Sequence, residues 1–204
     1  MPLAFWLNGQ RTPRGPPQPV IAPYTGAPID HVHQAAPADI DTAIAAMQSA
    51  FPALKARPAY QRAATCAQIR QQLAARAEEF ARTIAAEAGK PLRSARGEVD
   101  RALTTFHVAS EEATRIAGEQ LPVDIDPRGQ GYWALVERFP IGPCSFITPF
   151  NFPLNLVAHK VAPALAAGCP FIVKPSERTP LTALLLGELL AACDLPAGSW
   201  HILP

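Results

Sequence analysis

The sequence feature that most constrains the fold is the segment 139–177, which reads FPIGPCSFITPFNFPLNLVAHKVAPALAAGCPFIVKPSE. An apolar run at 144–148 has the composition of a β-strand and stops at Pro149. A stretch with helical periodicity follows, and after Gly168 a second apolar run, 171–173, leads into KPSE. A strand, a helix and a strand joined by short connections predict a βαβ unit with parallel strands and a right-handed crossover.

Polar side chains follow both strands of this unit. Thr148 and Asn151 come after the first strand, and Lys174, Ser176 and Glu177 come after the second. In open parallel sheets, ligands bind beyond the carboxyl ends of the strands. We therefore expect the functional site to lie where these two loops meet.

Length and composition exclude several classes of protein. The 204 residues suffice for one sizeable core, or for one domain with an appendage. A net charge of +1 gives no electrostatic basis for binding nucleic acid or an anionic membrane. No apolar run reaches the length of about 18 residues that a membrane span needs. The N-terminal sequence MPLAFWLNGQ also lacks the pattern of a secretory signal. We expect a cytoplasmic protein.

The residue types that bind metals do not cluster. The chain has four cysteines, Cys66, Cys144, Cys169 and Cys193. They lie far apart and form no CxxC pair, so we expect free thiols. His31 and His33 could face one side of a strand, but no cysteine or carboxylate pair stands at a spacing that would complete a site. We expect a polar loop there and no metal.

The first 117 residues combine extended pieces with helices. Residues 3–32 predict short strands, with hairpin turns at Asn8-Gly9 and at 24–26. The stretch RTPRGPPQP has the PxxP spacing of SH3 ligands, although a proline-rich hairpin loop explains it as well. Helices are predicted at 38–51 (ended by Pro52), at 58–88 (capped by Gly89) and at 92–117. Their inward faces are predicted to carry, among others, Ile40, Ile44, Met47, Cys66, Ile69, Leu73, Phe80, Ile84, Val99, Leu103, Phe106, Ala113 and Ile116.

The rest of the chain adds few further strands. Residues 119–126 are polar and turn-rich, whereas 131–138 is rich in aromatic and branched residues and predicts a β-strand. A helix is predicted to open with Thr179 as N-cap and Pro180 at the first position, and 200–203 predicts a third sheet strand. A doubly wound nucleotide-binding sheet needs five or six strands. With only three placed, we expect the chain to be part of a larger unit.

The polar residues of the two loops allow more than one role. Asn151 could cap the following helix, which its spacing favours, or could donate its side-chain NH₂ to an oxygen that gains negative charge. Lys174 and Glu177 could form an exposed ion pair or bind the hydroxyls of a ribose. No GxGxxG fingerprint is present, so these residues by themselves indicate at most an adenosine site but not a complete dinucleotide site.

Several motifs together resemble the aldehyde dehydrogenase superfamily. They are TPFNFP at 148–153, KPSE at 174–177 with the helix start after it, EAGKP at 87–91 and GEVDR at 97–101. Leu7-Asn8-Gly9 agrees with the same family. The resemblance covers essentially the whole chain, and PFNFP with KPSE at this spacing is highly specific.

The resemblance implies a role for each loop residue. Asn151 matches the asparagine whose amide stabilises the oxyanion of a thiohemiacetal. The resemblance therefore favours this role over the helix N-cap that the spacing alone favours. Thr148, Pro149 and Phe150 match a segment that lines the cofactor. Lys174, Ser176 and Glu177 match the segment that binds the adenosine ribose, and a glutamate there is typical of a preference for NAD over NADP.

The resemblance also predicts the domain organisation. Residues 1–120 and 140–204 would form part of a Rossmann-like coenzyme-binding domain, and 121–139 part of an oligomerisation arm whose strand 131–138 pairs between subunits. The catalytic domain, with the nucleophilic cysteine and the glutamate that activates water, would be absent. None of the four cysteines lies in a matching motif, so we expect no activity from this chain alone.

Two functions remain open at this stage. The first is the N-terminal portion of an NAD-dependent enzyme that oxidises a small aldehyde to a carboxylate, with a weak similarity to members acting on lactaldehyde-like or phosphorylated substrates. The second is a non-catalytic chain that binds a nucleotide or assembles into a homo-oligomer. No sequence pattern points to a nucleic-acid or membrane partner.

Overall fold

The computed structural model describes all 204 residues and confirms an α/β architecture. The helices are α1 (Pro37–Lys55), α2 (Ala59–Ala75), α3 (Ala77–Ala88), α4 (Leu92–Glu112), α5 (Asn155–Ala167) and α6 (Leu181–Ala191). The strands are β1 (Phe5–Leu7), β2 (Gln10–Thr12), β3 (Pro17–Ile21), β4 (Pro28–His33), β5 (Glu119–Pro122), β6 (Trp133–Val136), β7 (Cys144–Ile147), β8 (Phe171–Lys174) and β9 (Trp200–Ile202). None of the helices combines the length and the hydrophobicity that crossing a bilayer requires.

The main sheet contains five strands in the order β2-β1-β9-β8-β7. Strands β7, β8 and β9 are parallel neighbours, which confirms the predicted βαβ unit and the third strand. The expectation of only three strands is wrong, because the N-terminal hairpin joins the sheet: β1 pairs antiparallel with β9 through Trp6 and Ile202. The hairpin turn lies at Asn8 and Gly9, with φ of 55° and 73°, as two-residue hairpin turns of this type require.

The predicted extents of the first two helices, 38–51 and 58–88, are wrong. Helix α1 does not end at Pro52 but continues to Lys55. A proline near the end of a helix removes one hydrogen bond without blocking the last turn. The predicted helix 58–88 is two helices, because the backbone of Arg76 leaves the helical region (φ −112°, ψ 19°). The cap at Gly89 is confirmed by its φ of 65°.

The region after α4 also differs from the prediction. Helix α4 ends at Glu112, so Ile116 lies outside it and is exposed rather than inward-facing. The segment predicted as turns begins with β5, which pairs antiparallel with β6. The polar residues of β5 are compatible with a strand because all four of its residues are exposed.

The two faces of the sheet are in different environments. On one face, Phe146 stacks near Phe171 with ring centroids 6.1 Å apart, and α5 and α6 pack against the strands. The apolar residues that the helical periodicity of this stretch places on one face are all buried: Leu154, directly before α5, and Val157, Ala158, Val161 and Leu165 within it. On the opposite face, Ile147 of the edge strand β7 is 75% exposed. The molecule therefore covers one side of the sheet more fully than the other.

A cleft of about 430 Å³ lies on this second face, between the sheet and α1. Ile40 and Ile44 of α1 line it and are 45% and 41% exposed, which corrects the prediction that they face the core. The apolar residues of α1 that are buried are Ala43, Met47, Ala50 and Leu54. The apolar stripe of α1 is thus divided between the core and the cleft.

The contact between α6 and β1 depends on the absence of a side chain at Gly187. The indole N–H of Trp6 donates to the Leu184 carbonyl over 2.8 Å, and a Cβ on Gly187 would lie 2.1 Å from the Trp6 ring nitrogen. We expect Gly187→Ala to lower the free energy of unfolding by about 1–3 kcal/mol through overpacking. Gly97→Ala on α4 is the control: its Cβ would meet nothing within 4 Å. Alanine there should stabilise the helix by about 0.5–1 kcal/mol. Urea denaturation monitored by tryptophan fluorescence measures both, and equal effects would contradict the packing argument.

Candidate functional site

The two predicted loops start side by side at one rim of the sheet. Ile147 of β7 stands opposite Lys174 of β8, and the Thr148 amide donates to the Lys174 carbonyl over 3.1 Å. Because β7 and β8 are parallel, both loops leave from carboxyl ends at the same edge. The structure therefore places the starts of the two predicted loops side by side, while the roles of their residues in binding remain predictions.

The loop after β8 presents its charged groups to solvent. The Lys174 ammonium and the Glu177 carboxylate lie 3.8 Å apart, with side chains 51% and 72% exposed. An exposed pair of this kind contributes little to stability. The Ser176 hydroxyl accepts a hydrogen bond from the Arg178 amide over 3.2 Å, which shapes the turn. Lys174 and Glu177 thus remain accessible to a ligand.

The loop after β7 is held on both sides of Asn151. On one side, the Thr179 hydroxyl donates to the Phe150 carbonyl over 3.5 Å, and the Arg178 guanidinium lies 5.2 Å from the Phe150 ring centroid. On the other side, the Phe152 ring has the Lys90 ammonium 4.0 Å from its centroid. The hydrogen bonds of the loop do not use the Asn151 side chain, which is exposed. Its carboxamide is free to meet an incoming group.

Asn151 is not the cap of the following helix, so the local prediction is wrong. Helix α5 begins four residues later, at Asn155. Its first amides are satisfied from α4: the Glu98 carboxylate accepts from Leu154 N over 2.9 Å and from Asn155 N over 3.1 Å. Glu98 is fully buried, and its second oxygen lies 2.5 Å from the Lys90 ammonium. A carboxylate at a helix N-terminus is favoured by the helix dipole.

A second buried glutamate caps α6 in the same way. Glu87 accepts from Leu181 N over 2.7 Å, from Thr182 N over 3.0 Å and from the Thr182 hydroxyl. Burial raises the pKa of Glu87 to about 7, and the hydrogen bonds act in the opposite direction. Thr179 is therefore not the N-cap that the sequence predicted; its hydroxyl bonds Phe150 instead.

Sequence reasoning missed both glutamates, although a signal was present. Glu87 continues the inward stripe of Phe80 and Ile84, and Glu98 lies among Ala95, Val99 and Ala102. A carboxylate at an inward helical position needs a partner, because an unpaired buried charge is costly. The pattern could have indicated a buried hydrogen-bonding role, but not which helix received it.

The apolar cleft adjoins the rim that carries the charged loop. Lys174 lines its mouth, and Ser145, Ile147 and Ile172 of the sheet line its wall. A mostly apolar concave surface with few polar groups at the edge is typical of small-molecule sites. The arrangement suits a ligand with a flat apolar part and a polar part near Lys174.

The candidate metal ligands stand apart. No group of three or more histidine, cysteine, aspartate or glutamate side chains has the geometry to hold a metal ion. The His33 ring nitrogen Nδ1 instead lies 2.8 Å from the Gly15 carbonyl oxygen. All four cysteines are free thiols, and burial raises the pKa of Cys66 to about 12. Of these groups, Cys144 lines the apolar cleft.

Comparison with known proteins is consistent across sequence and structure. Residues 10–204 match the model of the aldehyde dehydrogenase family. The 3-sulfolactaldehyde dehydrogenase of Priestia aryabhattai is 40% identical over 200 residues, which make up 98% of this chain and 41% of that protein. The chain thus spans about two-fifths of the length of this relative.

Solved structures agree with the sequence match. Aldehyde dehydrogenase 21 from Physcomitrella patens, in complex with the reaction product succinate, is 47% identical with a TM-score of 0.97, over 100% of this chain and 43% of that one. PnpE from Pseudomonas sp. WBC-3, in complex with nicotinamide adenine dinucleotide, is 34% identical with a TM-score of 0.92, over 100% of this chain and 42% of that one. At 47% and 34% identity, these structures share the family of this chain as well as its fold.

Proposed function

The chain belongs to the aldehyde dehydrogenase family, and we propose that it is the N-terminal portion of an NAD-dependent enzyme that oxidises an aldehyde to a carboxylate. The observation that carries this proposal is the free carboxamide of Asn151, which lies in a loop fixed on both sides at the rim of Lys174 and Glu177. The chain alone would be inactive, because the nucleophilic cysteine and the general-base glutamate would come from the rest of the polypeptide.

Asn151 would act on the oxygen of the aldehyde. When a thiolate adds to the carbonyl carbon, that oxygen gains negative charge, and the side-chain NH₂ of Asn151 would donate a hydrogen bond to it. A donor fixed before the reaction stabilises this charge without having to reorganise. The contacts of its neighbours, Phe150 and Phe152, would fix the backbone from which the Asn151 side chain projects.

The residues at the rim fit the adenosine half of NAD. The Glu177 carboxylate can accept from ribose hydroxyls and the Lys174 ammonium can donate to them, while the apolar cleft beside Lys174 offers a surface for adenine. Thr148, Pro149, Phe150 and Ser176 would line the cofactor nearby. NAD, when bound, would supply the hydride acceptor for the reaction.

The preference for NAD over NADP is proposed to come from Glu177. A carboxylate next to the ribose 2′-position repels a 2′-phosphate. We expect Glu177→Ser to narrow the ratio of NADP to NAD dissociation constants by about tenfold, which is 1.4 kcal/mol of relieved repulsion. Glu112→Ser, an equal charge change on α4, should leave the ratio unaltered. Titration of the full-length polypeptide with both cofactors measures it, and unchanged relative affinities would remove Glu177 from the ribose.

The substrate is proposed to be a small aldehyde that carries an acid group. The support is the named activity of one similar protein, on sulfolactaldehyde, and the succinate bound as product in another. The test is NADH formation by the full-length polypeptide. The rate with succinate semialdehyde, which carries a carboxylate, is compared with the rates with lactaldehyde and other uncharged aldehydes of equal length. Faster turnover of the acid-bearing aldehyde is expected. An equal rate with the uncharged analogues would contradict the proposed substrate class.

Assembly into a homo-oligomer is proposed to use the strand region 131–138, within an arm formed by 121–139. The support is the exposed apolar surface of β6, where Trp133 and Leu135 are 77% and 76% exposed. Large exposed side chains on one ribbon favour a partner surface.

The remaining ranges, 1–120 and 140–204, are proposed as part of the coenzyme-binding domain. A cytoplasmic location remains a prediction.

A further inference from the structure

The motifs EAGKP and GEVDR have no role in the proposed chemistry, yet they supply both buried glutamates. Neither Glu87 nor Glu98 is exposed at the rim, since both side chains are buried beneath the loops. Their contacts are nevertheless close to it in the chain. Leu154, which Glu98 binds, is three residues beyond Asn151, and Leu181, which Glu87 binds, is four residues beyond Glu177.

We infer that Glu98 is a positioning residue for Asn151 and that Glu87 is its counterpart for the loop Lys174–Glu177. This inference rests on the proposed function. The end of α3, through Glu87, and the first half of α4, through Glu98, would hold the helices that follow the two loops. They would thereby set where the oxyanion donor and the ribose-binding groups stand relative to each other.

The contacts of Glu98 carry the first half of the inference. One carboxylate oxygen accepts both amides at the start of α5, and the other pairs with Lys90. The same lysine lies over the ring of Phe152, the residue next to Asn151. One charged pair therefore fixes both the helix start and the end of the loop. Small displacements of a catalytic group can reduce rates by about a hundredfold.

The contacts of Glu87 carry the second half. Its carboxylate accepts three hydrogen bonds at the start of α6, directly after the loop that contains Lys174 and Glu177. The two loops are also joined to each other, because the Thr179 hydroxyl donates to the Phe150 carbonyl. The glutamates thus hold a connected pair of loops from below.

A purely structural role makes a different prediction. If the two carboxylates only stabilise α5 and α6, their loss lowers the melting temperature, while each folded molecule keeps its kcat and its affinity for NAD. A positioning role separates the two variants. Loss of the Glu98 cap should affect the chemical step, and loss of the Glu87 cap should affect cofactor binding.

The test uses Glu98→Ala, Glu98→Gln and Glu87→Ala in the full-length polypeptide, with rates normalised to the folded fraction. Glu98→Ala should lower kcat by about 10- to 100-fold with an unchanged dissociation constant for NAD. Glu98→Gln, which keeps an oxygen for the two amides, should recover most of that loss. Glu87→Ala should weaken NAD binding by about tenfold or more. Glu78→Gln, which removes a surface carboxylate between α3 and α4, is the control and should change neither value.

Hydrogen exchange gives a readout that needs no aldehyde. Glu98→Ala should speed exchange at the amides of Leu154 and Asn155 and through the loop before them, and should leave Leu181 and Thr182 protected; Glu87→Ala should do the reverse. Unchanged exchange in the loops, or a lower melting temperature with normal kcat and NAD affinity, would overturn the inference. If the wild-type polypeptide oxidised no aldehyde, the proposed function would fail, and hydrogen exchange would still decide whether the glutamates position the loops.

Discussion

Asn151→Ala should lower the kcat of the full-length enzyme by roughly 10²–10³-fold, the usual effect of removing one oxyanion donor. The reason is that the Asn151 carboxamide is exposed and takes no part in the hydrogen bonds that hold its loop. The substitution therefore removes a donor without removing a support. Stopped-flow measurement of the acylation step would show the loss directly.

The same variant should retain its stability and its affinity for NAD. Helix α5 is capped by Glu98 rather than by Asn151, so the melting temperature should change by less than for Glu98→Ala. An Asn151→Ala variant that kept its rate but melted much earlier would contradict the assigned role and return this residue to a structural one.

The second large effect concerns pH and His201. The ring is fully buried, accepts from the Asn8 amide at Nδ1 over 3.0 Å and donates from Nε2 to the Gly198 carbonyl over 3.2 Å. Burial lowers the pKa of His201 from its ordinary 6.5 to about 4. Between about pH 6.5 and pH 4, His201 is therefore protonated in the unfolded chain but remains neutral in the native state. The contribution of His201 to the free energy of unfolding should therefore drop by about 3 kcal/mol between neutral pH and about pH 4.

Glu87 acts in the opposite direction, so variants are needed to separate the two effects. Its pKa is raised from 4.5 to about 7, and the stability it contributes is present at low pH and is lost as pH rises through that range. We expect a shallow overall profile in the wild type. His201→Asn keeps an acceptor for the Asn8 amide but cannot be protonated.

Urea denaturation at neutral pH and at about pH 4 measures the effect, using the fluorescence of Trp6 and Trp200, whose ring centroids lie 5.4 Å apart. The stability advantage of the wild type over His201→Asn should shrink by about 3 kcal/mol at the lower pH. A difference that is independent of pH would mean that His201 is not buried as a neutral ring.

The βαβ unit and the loops at its rim could be predicted from the sequence because their signals are local. Apolar runs that stop at Pro149 and at KPSE set the ends of the two strands, and parallel pairing then places both loops at one edge. The Asn8-Gly9 turn could be predicted for the same reason, since a hairpin turn with two positive φ angles strongly prefers Asn-Gly. Its place beside β9 was not predictable, because that contact joins residues almost 200 positions apart.

The parts that could not be predicted depend on tertiary contacts. The caps of α5 and α6 come from Glu98 and Glu87, each more than 50 residues away in the chain, so residues near the helix starts gave the wrong caps. The exposure of Ile40 and Ile44 has a similar cause. Their spacing indicates an apolar helix face, but only the three-dimensional structure shows that this face borders a cleft.

The central claim is that the two loops form one site for NAD and aldehyde. The most direct measurement is a crystal structure of the full-length polypeptide with NAD bound. We predict that the adenosine ribose lies within hydrogen-bond distance of Lys174 and Glu177, and that the Asn151 carboxamide points to the space between the nicotinamide and the nucleophilic cysteine. NAD bound elsewhere, or an Asn151 side chain turned away from that space, would contradict the account.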